Sequence, residues 1–124
     1  MGKEGKMIEK DGGFCADYRA DSGILRITLG GEIDHHSAVR VRTDIDALLY
    51  RLRPKKLELV LSDIGFMDSS GLGLVLGRYA LAGELGCEFS VVDPSPAIMR
   101  IFRLAGMERR IHIEERHGEG NKAG

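Results

Sequence analysis

"LELVLSDIGFMDSSGLGLVLGRY", from Leu57 to Tyr79, places an apolar run, a polar junction and a helical pattern in one line. Leu57 to Ser62 reads as a strand, apolar enough to be central in a sheet. From Leu72 onward, Leu72, Val75, Leu76 and Tyr79 recur at three- and four-residue steps and mark one face of a helix. Gly83 and Gly86 surround the end of that helix. A strand feeding a helix in this way is the building unit of a sheet with parallel strands.

The same alternation continues on both sides. "FCADY" and "ILRITL" are strand-like and are joined by "RADSG", a turn cluster, which predicts an antiparallel hairpin. Ala38, Val41, Ile45, Leu48 and Leu52 then mark an amphipathic helix, capped by Asp34 or Ser37 and closed before Pro54. After Tyr79 come a strand at "EFSVV" and a helix with Ser95 as N-cap, Pro96 at its first position and Gly106 as its stop. Ile98, Ile101, Phe102 and Ala105 form its buried face, and "IHI" ends the pattern as a short strand. The order β-β-α-β-α-β-α-β predicts an α/β fold: a mixed sheet with an N-terminal hairpin, right-handed crossovers and helices packed on the sheet.

A chain of 124 residues with 43% apolar content fits one domain with a real core. Residues 1–13 and 116–124 are polar and rich in Gly and Lys, and are expected to be a flexible lead and a flexible tail around a domain at 14–115. The net charge of −1 lacks the basic face of a nucleic-acid binder, and Arg109-Arg110 reads as a solvated edge. No stretch approaches a membrane span and the N-terminus has no signal-peptide core, so a cytoplasmic protein is expected. Cys15 and Cys87 have neither metal nor redox spacing and read as small half-buried apolar residues.

Sites in such folds gather at the C-terminal ends of the strands. Two stretches reach that edge with unusual chemistry, Gly31–Ser37 and Met67–Gly73. Gly71, Gly73 and Gly77, with Asp93 ending the next strand, suggest a dinucleotide cradle. That fingerprint needs its glycines straight after the strand, and "DIGFMDSS" intervenes. A serine nucleophile would need His35 or His36 as a base, yet "DSSG" is no nucleophile elbow and no oxyanion motif is visible. "DHH" at Asp34–His36 resembles a metal-phosphoesterase motif, but adjacent histidines on a helix point about 100° apart and no further ligands support them. They are read as exposed loop residues, with Asp34 as a cap and no metal or cofactor. Asp68, Ser69 and Ser70 all have side chains that can cap the next helix. A helix N-terminus also accepts a phosphate, because free N–H groups and the dipole face it. A phosphoserine there adds roughly −1.5 to −2 charge without unfolding the domain.

"GEIDHHSA", "FMDSSGLGLVLGRY" and "SPAIMRIFRLAGM", in this order, resemble the STAS-domain anti-anti-sigma factors, most of all the anti-sigma F factor antagonists of spore-forming bacteria. The resemblance runs from about Phe14 to Glu115. It implies partner switching in sporulation and no enzymatic activity. The unphosphorylated protein binds an anti-sigma factor that is also a serine kinase, with ADP or ATP bound, and the sigma factor is released. The kinase phosphorylates the residue matching Ser69, binding ends, and a serine phosphatase resets the cycle. Asp34, His35, Asp68, Ser70 and Gly71 belong to the implied partner surface, and the chain is expected to act as a monomer. A nucleotide-binding α/β enzyme, or a STAS module of a stress-signalling complex, is the alternative. The longer lead and the short polar end depart from the family pattern and leave the site untouched.

Overall fold

Strand order in the sheet follows chain order, so every connection joins neighbours. The computed structural model describes residues 6–11 and 13–116, with side chains from 13 onward. The elements are β1 (Lys6–Asp11), β2 (Phe14–Arg19), β3 (Ile24–Ile33), α1 (His35–Leu52), β4 (Lys56–Met67), α2 (Ser69–Glu84), β5 (Glu88–Val92), α3 (Pro96–Ala105), a single 3-10 turn (Met107–Arg109) and β6 (His112–Glu114). Short turns make β1–β2 and β2–β3 antiparallel, whereas helical crossovers make β3–β4, β4–β5 and β5–β6 parallel. Gly23, with φ of +75°, supplies the left-handed residue that ends the β2–β3 turn.

The two faces of the sheet differ in chemistry. Ala16, Ile27, Leu59 and Val91 lie side by side across four strands, and all are fully buried. The helices supply the matching apolar side chains: Ile45, Leu48 and Leu49 from α1, Leu74, Val75 and Ala82 from α2, Ile98 and Phe102 from α3. On α2 the stripe marked by the spacing faces the core only in part: Val75 is fully buried, whereas Leu72, Leu76 and Tyr79 are half-buried and pack against the core beside Leu74 and Ala82. That helix is apolar almost all round, so periodicity alone cannot choose between adjacent stripes. Ala105, expected inside, is exposed.

The opposite face carries a polar row, Asp17, Arg26, Glu58, Ser90 and His112, in register across five strands. Glu58 is 2% exposed. Its carboxylate accepts from Arg26 Nε at 3.0 Å and from both terminal nitrogens of Arg116, the shorter at 2.7 Å. Lys56 Nζ lies 3.4 Å away. Burial pushes this carboxyl's pKa up, but hydrogen bonds from Arg116 and Arg26 outweigh it and hold the value down at about 2. Glu114 ties Lys56 and Arg116 into the same network.

Three sequence expectations change. Residues 6–11, expected within a loose lead, form an edge strand on β2. Residues 1–5 and 12 of that lead, and the expected tail except Arg116, lie outside the described residues. β3 and β4 both run beyond "ILRITL" and "LELVLS", to Ile33 and Met67, so "DIGFM" is strand. Two bulges explain why it did not read so. From Thr28 to Gly30 and from Gly31 to Glu32, β4 inserts one extra residue each time. Burial there falls at every third position, Leu61, Ile64 and Met67, in place of every second.

Candidate functional site

β3 and β4 end side by side: Ile33 pairs with Met67, and Asp68 N–H donates to the Ile33 carbonyl at 3.2 Å. Each strand then hands over to a helix through one aspartate. Asp34 caps α1 by a reciprocal box, with Ser37 N–H donating to Asp34 Oδ1 and Asp34 N–H donating to Ser37 Oγ, both at 3.0 Å. Asp68 caps α2, accepting from Ser70 N–H at 2.8 Å. The hydrogen bond from Ser37 N–H holds the Asp34 carboxyl below its ordinary pKa. Two helix N-termini with an acid on each therefore stand on adjacent parallel strands, where the dipoles favour negative charge.

Among the three residues that could cap α2, Asp68 does so, which leaves the two serines free for different roles. Ser69 is the first residue of α2 and is exposed, whereas Ser70 is half-buried with its amide held by Asp68. Gly71 is buried, and a Cβ there would overlap the Met67 side chain. Its missing side chain thus lets α2 begin directly over the end of β4. A Cβ on Gly73 would meet open space.

A groove of about 300 Å³ runs between α1 and α2, with His35 and Ser70 in its walls beside Val39, Arg42, Gly73 and Arg78. Asp34, His35, Asp68, Ser69 and Ser70 are thus gathered at one edge, and Gly71 lies beneath them. His35 and His36 occupy the first turn of α1, not a loop, with ring centres 5.8 Å apart. Among the described residues no hydrogen bond joins an imidazole to either serine, and no group of three or more His, Cys, Asp or Glu could hold a metal ion. The cradle fails for a different reason than the sequence suggested. Strand residues reach Met67, so only Asp68 separates strand from helix, and Gly71, Gly73 and Gly77 all lie inside α2.

The spacing gave no sign of the inter-helix tie. Arg78 is buried on α2, and its Nε lies 2.8 Å from Asp46 Oδ1 on α1. An i, i+4 view of a single helix cannot show a pair 32 residues apart.

A family model described as the STAS domain matches residues 16–120. An anti-sigma F factor antagonist from Paenibacillus polymyxa is 40% identical over 85 residues, covering 68% of this chain and 73% of the relative. Its counterpart in Lysinibacillus sphaericus is 35% identical over 81 residues, 65% of this chain and 69% of the relative. An anti-sigma-B factor antagonist of Bacillus subtilis is 26% identical over 104 residues, 84% and 94% of the two chains. The fold is similar to that of the anti-sigma factor antagonist SpoIIAA in its unphosphorylated form, with a TM-score of 0.64 at 22% identity, covering 96% of this chain and 94% of that one.

Proposed function

The chain belongs to the STAS domain family, and we propose that it is an anti-sigma factor antagonist switched by phosphorylation of Ser69. In this reading the unphosphorylated protein, as a single copy in the cytoplasm, binds an anti-sigma factor serine kinase carrying ADP or ATP, and a sigma factor is released. Phosphate on Ser69 ends the binding, and a serine phosphatase restores it. The chain itself performs no catalysis.

The observation that carries the reading is Ser69 itself: an exposed hydroxyl at the first position of α2, flanked by Asp68 and by the Asp34 cap of the neighbouring helix. A kinase can reach it, and the helix end accepts the phosphate without melting. The added charge meets two carboxylates and alters what a partner sees on that edge. Ser70 is the poorer acceptor because it is half-buried in the groove wall. Asp34, His35, Asp68 and Ser70 form the contact surface, and Gly71 shapes it from below.

Incubation with the cognate kinase and ATP should add one phosphate, which peptide mass mapping places on Ser69 and which Ser69→Ala abolishes. Ser69→Asp should bind the kinase at least about 100-fold more weakly than Ser69→Ala, a difference of about 3 kcal/mol. A phosphate mapped to Ser70, or equal affinity of the two variants, contradicts the proposal.

A further inference from the structure

β4 outruns its neighbour on one side. Its last partner on β5 is the Val60–Val92 pair, yet the strand continues to Met67 and delivers the Asp68–Ser69 corner. Along this extension β3 supports one edge. On the other edge a side chain reaches across: Ser95 Oγ donates to the Ile64 carbonyl at 3.1 Å. The same oxygen accepts from Ile98 N–H at 3.4 Å and caps α3. One hydroxyl has one proton and two lone pairs, so both bonds can coexist.

Ile64 is where such a prop has most effect. It lies between the two bulges, paired with Gly31, and is the buried residue among exposed Ser62, Asp63, Gly65 and Phe66. The loop that presents Ser95 is itself held on its far side. Asp93 N–H donates to the Glu114 carbonyl at 2.8 Å, and Arg116 N–H donates to Asp93 Oδ1 at 2.7 Å. Asp93 also has φ of +47°, a left-handed conformation that a non-glycine residue keeps only where its surroundings dictate it.

We propose that Ser95 is a positioning residue for Ser69: its hydroxyl replaces the absent β5 partner at Ile64 and fixes the height at which β4 delivers Asp68 and Ser69. The proposal rests on Ser69 being the phosphoacceptor. Its chemistry sets a sharp requirement, since only a side chain that both donates and accepts serves β4 and α3 together.

Three variants of the full chain separate the two bonds. Ser95→Asp keeps an N-cap acceptor for α3 but has no proton for Ile64 at neutral pH; Ser95→Thr keeps both; Ser95→Ala keeps neither. Exchange of the Asp68 amide, whose N–H is bonded to Ile33, should quicken about tenfold in the Asp and Ala variants and stay unchanged in Thr. Ser95→Asp should keep its thermal midpoint while kcat for Ser69 phosphorylation falls about tenfold and KM changes much less, because Asp34 and His35, carried by β3 and α1, still dock. Thr should restore the wild-type rate. Wild-type exchange and phosphorylation in Ser95→Asp, or a Thr variant as slow as Asp, overturns the proposal. If the wild-type chain takes no phosphate on Ser69, the functional reading falls, and amide exchange still decides whether Ser95 holds β4.

Discussion

β4 is two strands in one. From Lys56 to Val60 it has β3 and β5 on either side and regular pairing, and its outward Glu58 is locked among three cations. From Leu61 to Met67 it has two bulges, β3 on one edge and the Ser95 hydroxyl on the other. The first half fastens the sheet. The second half re-aims the chain so that α2 starts beside α1 with Ser69 outward. With Ser69 as the proposed phosphoacceptor, stability and switching fall to different ends of one element, and substitutions at the two ends should have separable effects.

The largest expected change in stability belongs to the regular half. Glu58→Ala removes the one carboxylate that Arg26, Lys56 and Arg116 share, and should cost about 3 kcal/mol in chemical denaturation. Phosphorylation of Ser69 in the folded variant should be unchanged. The depressed pKa sets the pH window. A carboxyl at about 2 in the fold, against an ordinary 4.5, stabilises fully above 4.5, and that contribution is lost as pH falls toward 2. Glu58→Gln should therefore flatten the acid limb of the stability profile. An unaltered acid limb would mean that the network is incidental, and the contrast between the halves would collapse.

Gly71→Ala probes the other end and should show the mixed effect expected of a site support. The new Cβ overlaps Met67, and overpacking of this kind costs about 2 kcal/mol. Because Met67 ends β4, its displacement should also slow Ser69 phosphorylation, which Glu58→Ala does not. Gly73→Ala is the control: its Cβ meets open space, so it should be neutral or slightly stabilising in a thermal melt. Equal effects of Gly71→Ala and Gly73→Ala would show that the contact with Met67 does not set the cost, since helix propensity favours alanine at both positions.

What could be read from the chain divides along the same line. Caps and stops were legible because they depend on residues next to each other: Asp34, Ser95, Pro96 and Gly106 hold the positions that their chemistry assigns. The hairpin and the crossover order were legible because regular strands alternate. The extension through "DIGFM" was not, since two bulges replace a period of two with a period of three. β1 was hidden by its polar composition, which is normal for an edge strand. The Glu58 network and the Arg78–Asp46 tie join residues up to 58 apart, and no local pattern encodes such pairs. The proposed acceptor was visible as one of two serines, and the helix geometry that exposes Ser69 and turns Ser70 into the groove supports choosing Ser69.

The smallest expected effect distinguishes two duties of a single side chain. Asp68 caps α2 through Ser70 N–H, and it is also an acid beside the proposed phosphoacceptor. Asp68→Ala loses both and should cost about 1 kcal/mol of stability. Asp68→Asn keeps a good cap and loses only the charge, so its thermal midpoint should stay near wild type. If the partner reads charge at this edge, the Asn variant binds the kinase several-fold more weakly while folding normally, and its affinity becomes less sensitive to salt. If Asp68 serves only as a cap, affinity follows stability: Asn binds as wild type does and Ala binds worse. The second pattern would make Asp68 part of the scaffold and leave the Asp34 loop and Ser69 to carry the charge that the switch changes.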